Sequence, residues 1–135
     1  METRTTKLLS TREHQLGQIH ENSSWEEKFQ NITLRPILKF QNEIILEIFS
    51  NYIKEHKGNF HQFRLEKRIQ FIEEALQKDQ KLKNLYKGIV VGHFTIEEMK
   101  EYHQNKSSIN RRIYSLIIER LKNQIILFDI QVQIS

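Results

Sequence analysis

The chain's apolar positions recur mostly at spacings of three and four, the period of an α-helix packed on one side. The clearest case is Ile109, Ile113, Leu116, Ile117, Leu121 and Ile125, with Arg111, Arg112, Ser115, Glu119, Lys122 and Asn123 opposite. This predicts a long helix over about 109–128, capped by Ser107 or Ser108. Leu65, Ile69, Ile72 and Leu76 predict a helix over about 64–77. Leu82, Leu85, Tyr86, Ile89 and Val90 predict another, opened by Asp79 as N-cap and ended by Gly92.

Two capping boxes mark further starts. In Ser24-Trp25-Glu26-Glu27 and Thr95-Ile96-Glu97-Glu98, the hydroxyl accepts from a free amide and the glutamate returns the bond. The first predicts a short helix to about Ile32, the second one to about Gln104. Pro36 lacks an N–H and belongs in a first turn. It therefore predicts a new helix to about His56, ended by Gly58. Ile37, Leu38, Phe40, Ile44, Ile45, Leu46, Ile48, Phe49, Tyr52 and Ile53 cover so much of that helix that it should be central. The fold class is all-α, a compact bundle of five or six helices over 24–128. Residues 1–23 lack a sustained period and predict a disordered or loosely packed tail, with a helical turn near Leu8 and Leu9. Residues 129–135 predict a C-terminal tail.

Composition narrows the chemistry. The 135 residues include no Cys, which excludes disulfides, thiol nucleophiles and Cys-bound metals. No apolar run reaches the roughly 18 residues of a membrane span, and the first residues lack the apolar stretch of a secretory signal. A cytoplasmic protein without membrane contact is expected. The net charge of +4 is concentrated between Lys100 and Asn123, where Lys100, Lys106, Arg111, Arg112, Arg120 and Lys122 face only Glu101 and Glu119. Such a segment can attract nucleic acid, although only Tyr102 and Tyr114 interleave with it. A solvated helix face explains it as well.

Candidate sites are sparse. His93, Glu98 and His103 are the best approach to a metal set, but Glu98 and His103 diverge around a helix axis. Gly88-x-x-x-Gly92 lacks the Lys-Ser/Thr of a nucleotide loop; close helix contact at Gly88 and a left-handed cap at Gly92 explain it. The paired glutamates are sequence neighbours pointing in different directions. Arg35, ahead of a helix start, could meet an anion or bind Glu43, Glu47 or a carbonyl. Arg111, Ser115 and Glu119 fit a surface ladder of charges. An anion or partner site, if three turns converge, would use Arg35, His93, Arg111 and Arg112. No catalytic residue and no cofactor is read.

Three stretches carry a resemblance: Phe29-Gln-Asn-Ile-Thr-Leu-Arg-Pro-Ile-Leu-Lys-Phe-Gln-Asn42, Lys87-Gly-Ile-Val-Val-Gly-His-Phe-Thr95, and Asn110-Arg-Arg-Ile113 with Ile118-Glu-Arg-Leu121. Over about 25–128 the chain resembles a group of small helical bacterial proteins, mainly from the Bacteroidetes lineage, some labelled "glyoxalase". The resemblance implies a small cytoplasmic helical protein and, through that label, a lyase; it brings no catalytic motif onto residues of this chain. The leading expectation is a non-enzymatic module acting through a protein partner or itself, as a homodimer. The alternatives are nucleic-acid binding through 100–123 and a glyoxalase-type lyase.

Overall fold

A computed structural model describes residues 3–12, 23–56 and 59–125. The expectations placed on Gly58, on 13–22 and on the C-terminal tail lie outside these residues. The described residues are helical without a strand: α1 (Arg4–Ser10), α2 (Trp25–Phe29), α3 (Arg35–Phe40), α4 (Asn42–Glu55), α5 (Leu65–Lys78), α6 (Gln80–Val91), α7 (Ile96–Gln104) and α8 (Lys106–Asn123). A π turn (Gln30–Leu34) joins α2 to α3, and a short 3₁₀ turn (Phe60–Gln62) precedes α5.

Asp79 and Thr95 cap as expected, while at Ser24 only the hydroxyl's half of the expected box forms. Ser24 accepts from the Glu27 amide, Asp79 from the Leu82 amide, and Thr95 and Glu98 make the full reciprocal box. The start of α8 differs. It begins at Lys106, so Ser107 and Ser108 lie within the first turn rather than capping it. The Asn105 carbonyl accepts from Ile109, while the Asn105 side chain turns back to the Glu101 carbonyl.

Pro36 sits in the first turn of α3, as expected, but the chain is not interrupted there. In an unbroken α-helix its ring would strike the Ile32 carbonyl. The π turn widens the backbone just before it, and the Arg35 amide reaches back to Gln30. Helix therefore continues through the proline, and the corner falls at Gln41, with φ −90° and ψ 8°. The backbone bonds on both sides persist, and the Gln41 side chain donates to the Ile89 carbonyl on α6.

The centre of the molecule also differs from expectation. The long helix α8 packs closely on α5, α6, α7 and the π turn, and buries Ile109, Ile113, Leu116, Ile117 and Leu121. Helix α4 buries Ile45, Leu46, Phe49 and Ile53. It leaves Ile44 about half exposed, with Phe40 similarly open just before it. Its apolar surplus is therefore partly unpartnered. On α5 the buried face is Ile72, Ala75 and Leu76, while Leu65 is exposed because it begins the helix outside the core.

Two aromatic groups fill the ends of the core. Phe49, Tyr52, Phe60 and Phe71 meet at centroid distances of 5.6–6.0 Å. Phe29, Phe94 and Tyr102 form the other, with Trp25 against Phe29. Between them the buried Tyr86 hydroxyl donates to the Ile45 carbonyl at 2.9 Å. Gly92 ends α6 as expected, but neither glycine does so through the conformation or contact expected of it. A Cβ at Gly88 would meet nothing within 4 Å, so it permits no close approach. Gly92 ends α6 with φ −61°, in right-handed geometry, and a Cβ there would press on the Gly88 carbonyl at 3.0 Å.

The turn expected near Leu8 and Leu9 is α1. It buries no residue, and its attachment is made by arginines. Arg4 donates to the Phe94 and Gly92 carbonyls, and Arg12, just beyond α1, donates to Glu98 and to the His93 carbonyl.

Candidate functional site

A groove of about 660 Å³ lies between the C-terminal half of α4 and the first turns of α6. Glu47, Ile48, Asn51, Tyr52, Glu55 and His56 come from the α4 side; Asp79, Lys81, Leu82 and Leu85 come from the α6 side. The helical period explains the first set. Ile48, Tyr52 and Glu55 stand three or four residues apart on one face, and Ile44 extends it by one turn. Leu85 is about half exposed. The floor is thus apolar, while Glu47, Glu55 and Asp79 outnumber Lys81 on a chain whose net charge is positive.

The polar end of the groove is a linked trio. The Tyr52 hydroxyl donates to Asp79, and burial together with that carboxylate pushes the phenol up to about 12. Tyr52 is therefore a neutral hydrogen-bond donor across the physiological range. Asp79 accepts from the Leu82 amide at 3.1 Å while capping α6. That backbone bond outweighs the upward push of burial. With help from Tyr52, the Lys81 amide and His56, it holds the carboxyl below its ordinary range. His56 lies over Tyr52 at a centroid distance of 3.9 Å. Its Nδ1 is 2.9 Å from the Tyr52 carbonyl and its Nε2 is 3.8 Å from Asp79. A carboxylate so engaged is a fixed negative charge rather than a ready proton acceptor. The trio can hold and orient a cationic or donor group.

The sequence-derived site residues bond to separate partners. Arg35 donates from Nε to Asn31 Oδ1 at 3.0 Å, rather than binding Glu43 or Glu47. Arg112 donates to Gln30 Oε1 at 2.8 Å, so these two arginines flank the π turn. Arg111 is exposed on α8. His93 belongs to the turn held by the N-terminal segment, its ring 5.3 Å from Phe40. Burial, then Arg12 and Arg4, push the His93 imidazole below its usual range. Among the described residues no hydrogen bond or ion pair joins His93 to Arg35, Arg111 or Arg112.

Beyond closing its capping box, Glu98 ties distant segments together. Its oxygens accept from Arg12 at 2.7 and 2.8 Å, from the Thr33 hydroxyl at 2.9 Å and from the Thr95 amide at 2.9 Å. Burial pulls its carboxyl up, but the Arg12 bonds, the Thr95 amide and Thr33 prevail, and the net shift is downward. His103 is exposed. Among the described residues no group of three His, Cys, Asp or Glu is placed to hold a metal ion, and no helix is long and apolar enough to cross a membrane.

The groove itself is absent from the sequence-derived list. Its one legible signal was Asp79, read as a cap, beside an apolar excess on α4. The basic segment is partly engaged inside the molecule: Arg112 with Gln30, Arg120 with Asn42 at 3.3 Å, and Lys122 with Glu73 of α5. No family model, curated protein or solved structure matches this chain.

Proposed function

We propose that this protein is a helical interaction module whose α4–α6 groove takes up a cationic, apolar-faced helical segment of a partner protein. The observation that carries the reading is the composition of the groove. An apolar floor of Ile48, Leu82 and Leu85 is rimmed by Glu47, Glu55 and Asp79, with Lys81 as the opposing charge. An amphipathic helix seats its apolar stripe in such a groove and its cations at the acidic rim. The trio at the polar end, Tyr52, His56 and Asp79, supplies directional bonds that set the register of the bound segment. The exposed Ile44 and Leu85 gain burial on binding, at ~25 cal/mol per Å² of apolar surface.

The test uses a synthetic Leu/Lys amphipathic helix as probe and titration calorimetry as readout. Binding is expected, weakening with salt. The double reversal Glu47→Lys/Glu55→Lys should weaken it by about tenfold or more, equivalent to about 1.4 kcal/mol. Leu85→Ser should do so to a similar degree. An all-Glu analogue binding as well as the Lys probe would overturn the reading. Sedimentation of the protein alone decides between a partner and a second copy. A dimer dissolved by the same double reversal would replace the separate partner with the chain itself.

A further inference from the structure

The geometry points to an oxyanion site in a cavity of about 240 Å³ between the start of α3 and the end of α8, whose lining shares no residue with the groove. The ligand class is a phosphate monoester. Arg35 and Arg120 both line this cavity, together with Leu38 and Leu116.

The case rests on unspent donors. A guanidinium carries five N–H groups. Arg35 uses its Nε on Asn31, and Arg120 uses NH1 on Asn42 at 3.3 Å. Among the described residues neither arginine makes an ion pair. Arg120 is nevertheless partly buried, and burial, then the neighbouring Arg35, works against its charge. Two like charges thus share one cavity with most of their donors open. Glu119 also lines it, but is exposed and stands at the rim; its carboxylate favours the Arg120 charge without bonding to it.

The surroundings hold the arginines in place. Asn42 and Gln124 exchange amide bonds, each 2.8 Å, and Gln124 also donates to the Arg120 carbonyl. Asn42 Oδ1 is therefore fixed where Arg120 meets it. Two forks reaching one space from different helices suit a tetrahedral dianion; a planar carboxylate satisfies one fork. Leu38 and Leu116 offer an apolar wall to whatever carries the phosphoryl group.

Titration calorimetry with inorganic phosphate, phenyl phosphate and acetate at matched ionic strength tests this on the full chain. Phenyl phosphate is expected to bind best and acetate worst. Arg35→Gln and Arg120→Gln should each weaken phosphate binding by about tenfold. Glu119→Gln should tighten it, by roughly twofold or more, because it removes a competing carboxylate. Arg111→Gln, on the exposed face of α8, should leave it unchanged. Should Arg120→Gln fail to fold, Arg35→Gln and Glu119→Gln carry the test. Affinity unaffected by both of these overturns the site. Acetate binding as tightly as phosphate overturns the oxyanion class, and equal affinity for inorganic phosphate and phenyl phosphate overturns the ester.

Discussion

Arg12 and Arg120 are both drawn into the molecule, and the contrast between them shows what a charge taken from water is for. Around Arg12 the charge is answered. Its side chain is 7% exposed and forms a bidentate pair with Glu98, itself 13% exposed. Thr33 and the Thr95 amide complete the carboxylate's bonds, and among the described residues Arg12 Nε is the buried side-chain polar atom left without a partner. Around Arg120 the charge is not answered, since its near charged neighbours are Arg35, which repels it, and a non-bonded Glu119. The first arrangement binds parts of one chain together. The second leaves binding capacity open to a ligand.

The largest expected effect separates the two directly. Arg12→Met keeps much of the aliphatic stem but leaves Glu98 buried without its cation. Breaking one side of a buried pair typically costs several kcal/mol; here urea unfolding should show a loss of about 3 kcal/mol, because Thr33 and Thr95 still solvate the carboxylate. Arg120→Met removes a charge that no carboxylate bonds, and gives up one long hydrogen bond. Its stability should stay within about 0.5 kcal/mol of the parent. Equal losses in both variants would erase the contrast.

Acid sharpens the comparison next. His93 and Glu98 both have folded pKa values below their ordinary ones. For His93 the unfolded chain protonates first, so stability should begin to fall as pH drops below about 6.5. For Glu98 the carboxylate's contribution is complete above its unfolded value near 4.3, and is lost as pH falls through the lower folded value. Asp79, also lowered, adds to this second decline. Urea midpoints between pH 8 and 3 should show two successive drops. His93→Gln should remove the first, and Glu98→Gln should flatten the second.

The two arginine sites also mark how far sequence reasoning reaches. The capping box from Thr95 to Glu98 was legible because all its partners are adjacent and helix geometry fixes their distances. The same Glu98 pairs with Arg12 across 86 positions and with Thr33 across 65. No local period encodes such spacings, so only half of its role could be read. Arg35 was singled out for its place before Pro36, yet its companion in the cavity is Arg120, not His93, Arg111 or Arg112. Arg120 was legible only as one cation of the basic segment between Lys100 and Asn123; what draws it inward is the side chain's approach to Asn42, 78 positions away. The placement of α4 failed for a related reason. Counting apolar residues measures how much surface seeks a partner, not whether the topology supplies one. The π turn before Pro36 and the corner at Gln41 aim α4 so that Ile48 and Tyr52 line a groove while Ile44 stays half exposed one turn before it.

The smallest expected effect calibrates the comparison from outside. Lys122, two residues beyond Arg120, pairs with Glu73 of α5, with the two side chains 33% and 40% exposed. The chemistry is that of Arg12 and Glu98, a cation joining two distant segments, but both groups remain largely hydrated. Their attraction is screened, and ordering two long side chains opposes it, so discounting for solvent leaves at most about 0.5 kcal/mol. Lys122→Ala should therefore shift the urea midpoint barely at all at ~0.15 M salt, where the Debye length is about 8 Å. Any difference should shrink further at ~1 M. A loss approaching that of Arg12→Met would mean that proximity of opposite charges, rather than their removal from water, decides what an arginine or lysine contributes in this fold.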